Sequence, residues 1–286
     1  MKLPFVFHTS ADVDLDSGSE LPTEIVRKQD TARMALVLTG DFLMGTPEQG
    51  IPQLIAAFGR TREVYACETP QRVVTLDAFY IDKYEVTNEM YQRFCKATGY
   101  CLPGHWENGE YPFGEDRHPV HGVNWHDANA YASWAGVSLP TEAQWEKAAR
   151  GTDGRLFPWG NDLDYHKAYY LRFEYFQGKE GFDGSPIIDG RPTAEVGSHS
   201  QGSSPYGVMD MLGNVWEWCM DWYDCTYYAW GPSTNPTGPQ TGEKRVLRGC
   251  GSVYDLHKFR CSYRYADKPD TPHTELIGFR CCYNPI

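Results

Sequence analysis

The stretch YGVMDMLGNVWEW, residues 206–218, combines acidic, glycine and aromatic residues at close spacing. Asp210 supplies a carboxylate oxygen, Gly213 permits a sharp backbone turn, and Glu217 supplies a second carboxylate. Oxygen-rich loops of this kind suit Ca²⁺, which prefers hard oxygen ligands. The stretch therefore favours a calcium loop, with the alternative that Asp210 caps a turn and Glu217 is a surface charge.

Around this stretch, the whole chain has the composition of a globular protein. Its 286 residues are enough to bury a sizeable core without disulfides or metal. The formal net charge of −12 repels phosphate backbones, so nucleic acid is not expected as a partner. No window approaches eighteen consecutive apolar residues, and the apolar patch at residues 3–7 is too short for a signal peptide. We expect neither a membrane partner nor export by that route.

Three helices are predicted from the residues at which they begin. Thr87, Asn124 and Thr141 each have a side-chain oxygen that can accept a backbone hydrogen bond at a helix N terminus. Asp127 and Gln144 follow the second and third of these at the capping-box spacing. The predicted helices end at Gly99, Gly136 and Gly151.

From residue 152 onward the helix signals disappear. Short aromatic and Val-containing segments are broken every few residues by Gly, Pro, Asn or Asp, which predicts irregular loops with short strands. Residues 1–31 are polar, acidic and without periodicity, and are predicted to form an irregular arm. Residues 32–286 are predicted to form one domain of the α+β class with little regular secondary structure.

Seven segments of the chain resemble one known family and occur in the same order as in that family. They are GDFLMG at 40–45, the stretch from Phe79 through EVTN at 85–88 to Phe94, HPV at 118–120 with VNW at 123–125, LPTEAQWE at 139–146, PWGN at 158–161, the stretch at 206–218, and GFRC at 278–281. Together they resemble the formylglycine-generating enzymes, also called sulfatase-modifying factors. The resemblance covers roughly residues 36–281 and implies an elaborated C-type-lectin-like fold.

The resemblance also implies a structural calcium ion in the 206–218 stretch. Family members hold the ion with the side chain at the position of Asp210 and with backbone oxygens at the positions of Gly213 and Val215. Together with the carboxylate of Glu217, these residues are the predicted metal site.

Copper-dependent members of the family use two cysteines near the C terminus. These bind Cu(I) as thiolates, and oxygen then converts a substrate cysteine to formylglycine. Here residues 248–264 read RGCGSVYDLHKFRCSYR, with Asp255 at the position of the first cysteine and no cysteine at the second. Copper is therefore not expected. Cys250, Cys261 and Ser252 remain as weak catalytic candidates, with the alternative that both cysteines are reduced, partly buried thiols.

The cysteines also bear on the cellular compartment. In secreted relatives, cysteines at the positions of Cys261 and Cys281 form bridges with partners that are Ala132 and Ala148 here. Those bridges cannot form. The odd total of nine cysteines fits a reducing environment, so we expect a cytoplasmic protein.

Three histidines lie close together in sequence, at His118, His121 and His126. A shared zinc ion would suit this residue type. The resemblance places His118 in the family's His-Pro-Val turn, and His126 is expected to face outward from the second helix. We therefore favour structural roles for these histidines over a metal site.

These observations predict a family member that is not a copper oxidase and that binds a peptide, protein or small-molecule ligand, as a monomer, in a C-terminal pocket built by loops. The candidate ligand-binding residues are Trp216, Ser252, Tyr254, Asp255, His257 and Arg264. The unusual residues between Val253 and Glu275 also resemble the randomised region of retroelement-diversified variable proteins, which share the fold. The alternative is an oxygen-dependent oxidoreductase of the formylglycine-generating type, acting on a cysteine or a natural-product precursor.

Overall fold

In the computed structural model, groups of short strands and groups of helices follow one another along the chain. The structure describes residues 21–169, 191–251, 256–270 and 276–285. The strands are β1 (Glu24–Val26), β2 (Arg33–Val37), β3 (Gly40–Met44), β4 (Arg72–Leu76), β5 (Phe79–Asp82), β6 (Trp216–Trp222), β7 (Arg245–Arg248), β8 (Tyr265–Asp267), β9 (Ile277–Gly278) and β10 (Cys282–Tyr283). The helices are α1 (Ile51–Phe58), α2 (Arg62–Tyr65), α3 (Asn88–Thr98), α4 (Trp125–Trp134), α5 (Glu142–Arg150) and α6 (Tyr227–Trp230). The α+β class and the low content of regular structure are confirmed.

The strands form three small sheets. The first has the order β1-β2-β5-β10, and its antiparallel register sets Ala35 opposite Ile81 and Ile81 opposite Cys282. The second pairs β3 with β4. The third has the order β8-β7-β6-β9, in which β9 runs parallel to β6. The last strand, β10, therefore lies at the edge of the same sheet as the first two strands, β1 and β2.

Part of the predicted N-terminal arm belongs to the folded domain. Strand β1 pairs with β2, and Arg27 and Asp30 are both buried. Arg27 donates hydrogen bonds to Asp30 and, at 2.9 Å, to Asp82 on β5. The domain boundary predicted at residue 32 is therefore too late, because a sequence without periodicity does not reveal a short strand whose partners are remote.

The three predicted helices are confirmed together with their caps. Thr87 accepts a hydrogen bond from the backbone N–H of Met90 at the start of α3, which ends at Gly99 in the left-handed conformation. Asn124 and Thr141 each form the complete capping box at the starts of α4 and α5. Helices α1, α2 and α6 were not predicted, since the first two residues of α1 are Ile-Pro and the other two helices have a single turn each.

The largest of three core clusters in the described part of the chain joins α3, α4 and α5 to the third sheet. Its largest wholly buried side chains include Trp145 on α5 and Trp216 and Trp218 on β6. Tyr131 on α4 stacks on Tyr91 of α3 with ring centroids 5.9 Å apart. Among the described residues, no helix is long and apolar enough to span a bilayer.

Candidate functional site

Helix α5 carries charged side chains into the interior, where arginines from the C-terminal third of the chain bind them. Glu142 accepts hydrogen bonds from Arg248 at 2.8 Å and from Arg264 at 2.7 Å. Glu146 accepts from Arg248 at 2.6 Å and from Arg150 at 2.8 Å. All nine residues of α5 are buried, so this helix forms the charged floor beneath the C-terminal loops.

Arg264, which was predicted to bind ligand, supports this floor. Its guanidinium lies between the rings of Tyr223 and Tyr228, 4.9 and 4.2 Å from their centroids. Besides Glu142, it donates to the backbone carbonyls of Cys67 and Asp224. The Arg264 side chain is therefore buried with its charge paired to the carboxylate of Glu142, and its role in ligand binding stays a prediction.

A second buried ion pair fixes the neighbouring part of the C-terminal segment. Arg260 donates to both carboxylate oxygens of Glu68, at 2.7 and 2.6 Å. The same carboxylate accepts from the hydroxyls of Ser262 and Thr46. Burial would raise the pKa of Glu68, but the guanidinium of Arg260 and these donors hold it below its usual value. The carboxylate is therefore ionised. Residues 260–264 are held at Glu68, through Arg260 and Ser262, and at Glu142, through Arg264.

Two other predicted ligand-binding residues also lie inside the protein. Trp216 is wholly buried and packs against Tyr265, with centroids 5.1 Å apart. His257 is buried with its ring edge-on to Tyr263, and its Nδ1 accepts from Arg60 Nε at 3.2 Å. The remaining predicted residues, Ser252, Tyr254 and Asp255, lie outside the described residues.

The weak catalytic candidates Cys250 and Cys261 are both buried without measurable exposure. Cys250 has a left-handed backbone, with φ of 57°, directly after β7. Burial raises the pKa of the Cys261 thiol to about 12. Without a bound metal, Cys261 is therefore a thiol at neutral pH.

Cys67 and Cys225 form a disulfide, which was not predicted. The two residues are 158 positions apart, and Arg264 binds the carbonyl oxygen of Cys67 and that of Asp224, the residue before Cys225. The other seven cysteines do not form disulfides; Cys101 is exposed and the rest are buried. Spacing alone carried no signal for this pair, because a bridge between such distant residues depends on the tertiary fold.

The predicted calcium loop has an unusual backbone. Asp210 and Asn214 both lie in the left-handed region, with φ of 55° and 57°. Gly213 has φ of 90°, and a Cβ atom there would lie 2.3 Å from the carbonyl oxygen of Tyr169. Asp210 accepts a hydrogen bond from the backbone N–H of Gly197, and burial raises its pKa to about 6. Asp210 is therefore a buried carboxylate on a tightly turned stretch of backbone.

Glu217, the other predicted metal-binding carboxylate, is bound in an ion pair. Arg280 donates to its two oxygens, each at 2.7 Å, and Trp145 Nε1 donates to Oε2 at 2.8 Å. Arg280 also binds the carbonyl oxygens of Asp82 and Met209. Glu217 is therefore neutralised by an arginine 63 residues away, and only Oε1 retains capacity for a further ligand.

Glu85 is a carboxylate that the sequence did not single out. It is 1% exposed, and neither of its oxygens has a hydrogen-bond partner among the described residues. Its segment lies beside the calcium loop, since Met209 N donates to the carbonyl of Lys83. Burial and the neighbouring Asp210 raise the pKa of Glu85 well above its usual value.

The unpartnered carboxylate of Glu85 bears on whether a cation fits the 206–218 loop. Buried carboxylates normally have partners, and a bound Ca²⁺ would satisfy Glu85 together with Asp210. Within the described ranges, no three His, Cys, Asp or Glu side chains are arranged to hold one metal ion. The ion would consequently need backbone carbonyls from the loop, which is the donor set that the resemblance implies at Gly213 and Val215.

The three histidines do not form a metal site. His118 Nδ1 lies 2.9 Å from the Thr193 hydroxyl, and His126 is exposed on α4. His121 stacks on His105, with ring centroids 4.2 Å apart and planes 8° apart. Burial lowers the pKa of His121 to about 3, so this ring is neutral at physiological pH.

Comparisons with known proteins agree with the fold. A family model described as "Sulfatase-modifying factor enzyme 1-like domain" matches residues 20–285. The formylglycine-generating enzyme of Mus musculus is 33% identical over 303 residues, covering 87% of this chain and 74% of that protein. The formylglycine-generating enzyme of Streptomyces coelicolor is 34% identical over 307 residues, covering 91% and 92%.

Solved structures agree as well. PvdO from Pseudomonas aeruginosa superposes with a TM-score of 0.72 at 26% identity, covering 93% of this chain and 100% of that chain. Treponema denticola variable protein 1 superposes with a TM-score of 0.65 at 21% identity, covering 93% and 100%, and so shows the fold alone. The chain belongs to the formylglycine-generating enzyme family, the sulfatase-modifying factors, and has its C-type-lectin-like fold.

Proposed function

We propose that this chain is a family member without a copper centre that binds a peptide, protein or small-molecule ligand through its C-terminal loops. The observation that carries the proposal is the burial of Cys261, which has no exposure to solvent. Cys250 is equally buried. A Cu(I) ion held by these two sulfurs would be closed to a substrate cysteine, because solvent reaches neither residue.

The frame beneath the loops supports the binding half of the proposal. Arg248, Arg260 and Arg264 tie the C-terminal segment to α5 and to Glu68 through buried ion pairs. Loops that carry recognition residues work best on such a fixed support, because less ordering is needed when the ligand binds. The net charge of −12 favours ligands other than nucleic acid.

Oxygen-dependent oxidation is the second candidate function. It is favoured by the 34% identity to the Streptomyces coelicolor formylglycine-generating enzyme over nearly the full length of both chains. In that case the oxidation would use cysteines at positions other than the family's copper pair, or would act on a substrate other than a cysteine. The two candidates differ in whether the protein binds Cu(I) and consumes oxygen.

Copper binding and oxygen uptake test the first half of the proposal. The protein is titrated with Cu(I) against a chromophoric chelator, and oxygen uptake is followed with a cysteine-containing peptide; the Streptomyces coelicolor enzyme serves as positive control. We expect no stoichiometric Cu(I) binding and no oxygen uptake. Tight binding that is lost in both Cys250→Ser and Cys261→Ser would overturn the proposal in favour of the oxidase.

Selection from a displayed peptide library tests the second half. Peptides enriched on the protein should lose at least tenfold in affinity for Tyr254→Ala, a substitution in the predicted ligand-binding set. The matched control is Phe113→Ala, which removes a fully exposed ring on a different loop. Peptides that are insensitive to Tyr254→Ala but sensitive to Phe113→Ala would place recognition elsewhere and contradict the proposal.

We also propose that a structural Ca²⁺ binds the 206–218 loop, with Asp210 and Glu85 as its carboxylates. The orphaned oxygens of Glu85 support this assignment. Calcium added after chelation should raise Tm in the wild type, and Asp210→Asn should remove most of that rise. Asp162→Asn, at an exposed carboxylate, is the control and should behave as wild type. An unchanged Tm after thorough chelation and calcium addition would contradict the site.

The cytoplasmic location and the monomeric state remain predictions. The Cys67–Cys225 disulfide argues against a reducing compartment, since structural disulfides are rare in the cytosol of most organisms. Thiol labelling of protein isolated under acid quench from its native host would decide the matter. Two protected cysteines would favour an oxidising compartment, and nine reactive ones after unfolding would favour the cytoplasm.

A further inference from the structure

The C-terminal end of α3 brings two cysteine residues, Cys95 and Cys101, together. Cys95 lies in the last turns of the helix and is buried. Gly99 then reverses the chain in the left-handed conformation, with φ of 72°. As a result Cys101 returns onto the helix, and its carbonyl oxygen accepts a hydrogen bond from Cys95 Sγ at 3.5 Å.

Cys101 lies at the wall of a small cavity. It is the one exposed cysteine of the nine, all of which lie in the described residues. The cavity has a volume of about 160 Å³, and its lining includes Leu102, Val123 and Asp127. The Asp127 carboxylate is fixed there, because it accepts from the Tyr100 hydroxyl at 3.0 Å and from the Asn124 backbone at 2.9 Å. A small molecule in this cavity would therefore lie against Cys101 and close to a fixed carboxylate.

We propose that Cys101 and Cys95 are a reactive thiol pair that reduces low-molecular-weight disulfides and closes to a Cys95–Cys101 disulfide. Cys101 is the attacking residue and Cys95 the resolving residue. This assignment is independent of the function proposed for the C-terminal loops.

Exposure assigns the two roles. A disulfide in solution reaches Cys101 directly, whereas the helix and the returning chain cover Cys95. Burial, followed by the nearby Cys101 and Asp127, raises the pKa of Cys95 to about 11. Cys95 therefore remains a thiol until a mixed disulfide forms next to it.

The chemistry needs only the small disulfide as oxidant. The Cys101 thiolate attacks one sulfur of that disulfide, the S–S bond breaks, and one small thiolate leaves and takes up a proton. Cys95 then loses its proton and attacks the Cys101 sulfur, which expels the second small thiol. The two protein thiols lose two electrons in total, and the small disulfide is reduced to two thiols.

Asp127 gives this site a preference among disulfides. Its carboxylate attracts a cationic disulfide such as cystamine and repels an anionic one such as oxidised glutathione. The remaining unbridged thiols, at Cys219, Cys250, Cys261, Cys281 and Cys282, are buried and do not compete. Cystamine should consequently react at Cys101 faster than oxidised glutathione does.

Mass spectrometry with cystamine as the probe tests the pair. Reduced and desalted protein is incubated with cystamine at neutral pH, quenched with acid and mapped by non-reducing peptide digestion. In the wild type we expect a peptide cross-linked through Cys95 and Cys101 and no stable adduct. Cys95→Ser should retain one cysteamine on residue 101, and Cys101→Ser should have neither product at residue 95.

Two further readouts keep the test decisive. Circular dichroism melting identifies a variant that has lost the fold, and Asp127→Asn should reduce the cystamine-to-glutathione rate ratio several-fold. A stable adduct on Cys101 of folded wild type, with no cross-link, would overturn the resolving role of Cys95. Equal modification of the wild type and folded Cys101→Ser would overturn the attacking role of Cys101.

Discussion

Arg248 Nη2 lies 2.6 Å from Glu146 Oε2, and neither side chain has any exposure to solvent. The pair joins β7 to α5 at the centre of the protein. Glu146 also accepts hydrogen bonds from Arg150 and from the backbone N–H of Gly45, so one carboxylate connects three separate parts of the chain. Such a group is costly to disturb, because its partners cannot turn to water for replacement bonds.

We predict that Glu146→Gln lowers the free energy of unfolding by about 3–5 kcal/mol, which is typical when one partner of a buried ion pair is removed. The substitution keeps the size of the side chain but leaves Arg248 and Arg150 with less negative charge. Urea denaturation followed by tryptophan fluorescence measures the change.

An exposed pair provides the matched control for this prediction. Arg93 and Glu89 form an ion pair on α3, with both side chains about half exposed. Glu89→Gln should cost less than about 1 kcal/mol, because water already solvates both groups. Losses of equal size at the two positions would contradict the special role of burial.

Local signals explain which parts of the fold were predictable. The starts of α3, α4 and α5 depend on contacts within three residues, and the capping residues Asn124 and Thr141 are visible in the sequence. The burial of α5 was only partly predictable. Trp145 and Ala149 are four residues apart in the sequence, which favours one apolar stripe. The polar face is buried too, because Glu142 binds an arginine 106 residues away.

In the candidate site too, some features could be predicted from the local sequence and others depend on the tertiary fold. Asp210 and Gly213 were identified from a contiguous stretch; both have positive φ, and their role as metal ligands stays a prediction. The ion pair that Glu217 forms and the position of Glu85 beside the loop depend on the tertiary fold. Nothing in the spacing of the chain brings residue 85 next to residue 210, so sequence reasoning had no means of including it.

Asp221 should make stability depend on pH. Burial and the neighbouring Glu142 raise the pKa of Asp221 from 3.8 to about 8. The folded state therefore holds this proton more tightly than the unfolded state does, and stability is lost as the pH rises from about 4 to about 8. We predict that Asp221→Asn reduces this loss, because it removes the charge. The amide keeps an oxygen that can accept the hydrogen bond from the Glu142 backbone N–H, which lies 2.9 Å from Asp221 Oδ2 in the wild type.

Urea denaturation at pH 5, 7 and 9 measures this effect. The stability of Asp221→Asn relative to wild type should increase by at least about 1.4 kcal/mol from pH 5 to pH 9, the equivalent of one pKa unit. Asp162→Asn, at an exposed carboxylate, should show a difference from wild type that does not change over this range. A difference for Asp221→Asn that shrinks as the pH rises would have the wrong sign.

The cap of α5 can be tested with a pair of substitutions at one position. Thr141 Oγ1 accepts from the Gln144 backbone at 3.2 Å, and Gln144 Oε1 accepts from the Thr141 backbone at 2.9 Å. Thr141→Ala should lower the free energy of unfolding by about 1 kcal/mol, while Thr141→Ser keeps the hydroxyl and should cost less. Equal losses in the two variants, measured by urea denaturation, would show that packing of the methyl group dominates over the cap.

The Cys67–Cys225 disulfide should contribute to stability mainly by restricting the unfolded chain. Because it joins residues 158 positions apart, the double substitution Cys67→Ala with Cys225→Ala should cost about 2–4 kcal/mol. Reductant should lower the Tm of the wild type to nearly that of the double variant and leave the variant unchanged. Mass spectrometry could show the bridge open while reductant leaves the wild-type Tm unchanged. In that case the hydrogen bonds of Arg264 hold the two segments together without the disulfide, since Arg264 binds the carbonyl of Cys67 and that of Asp224 next to Cys225.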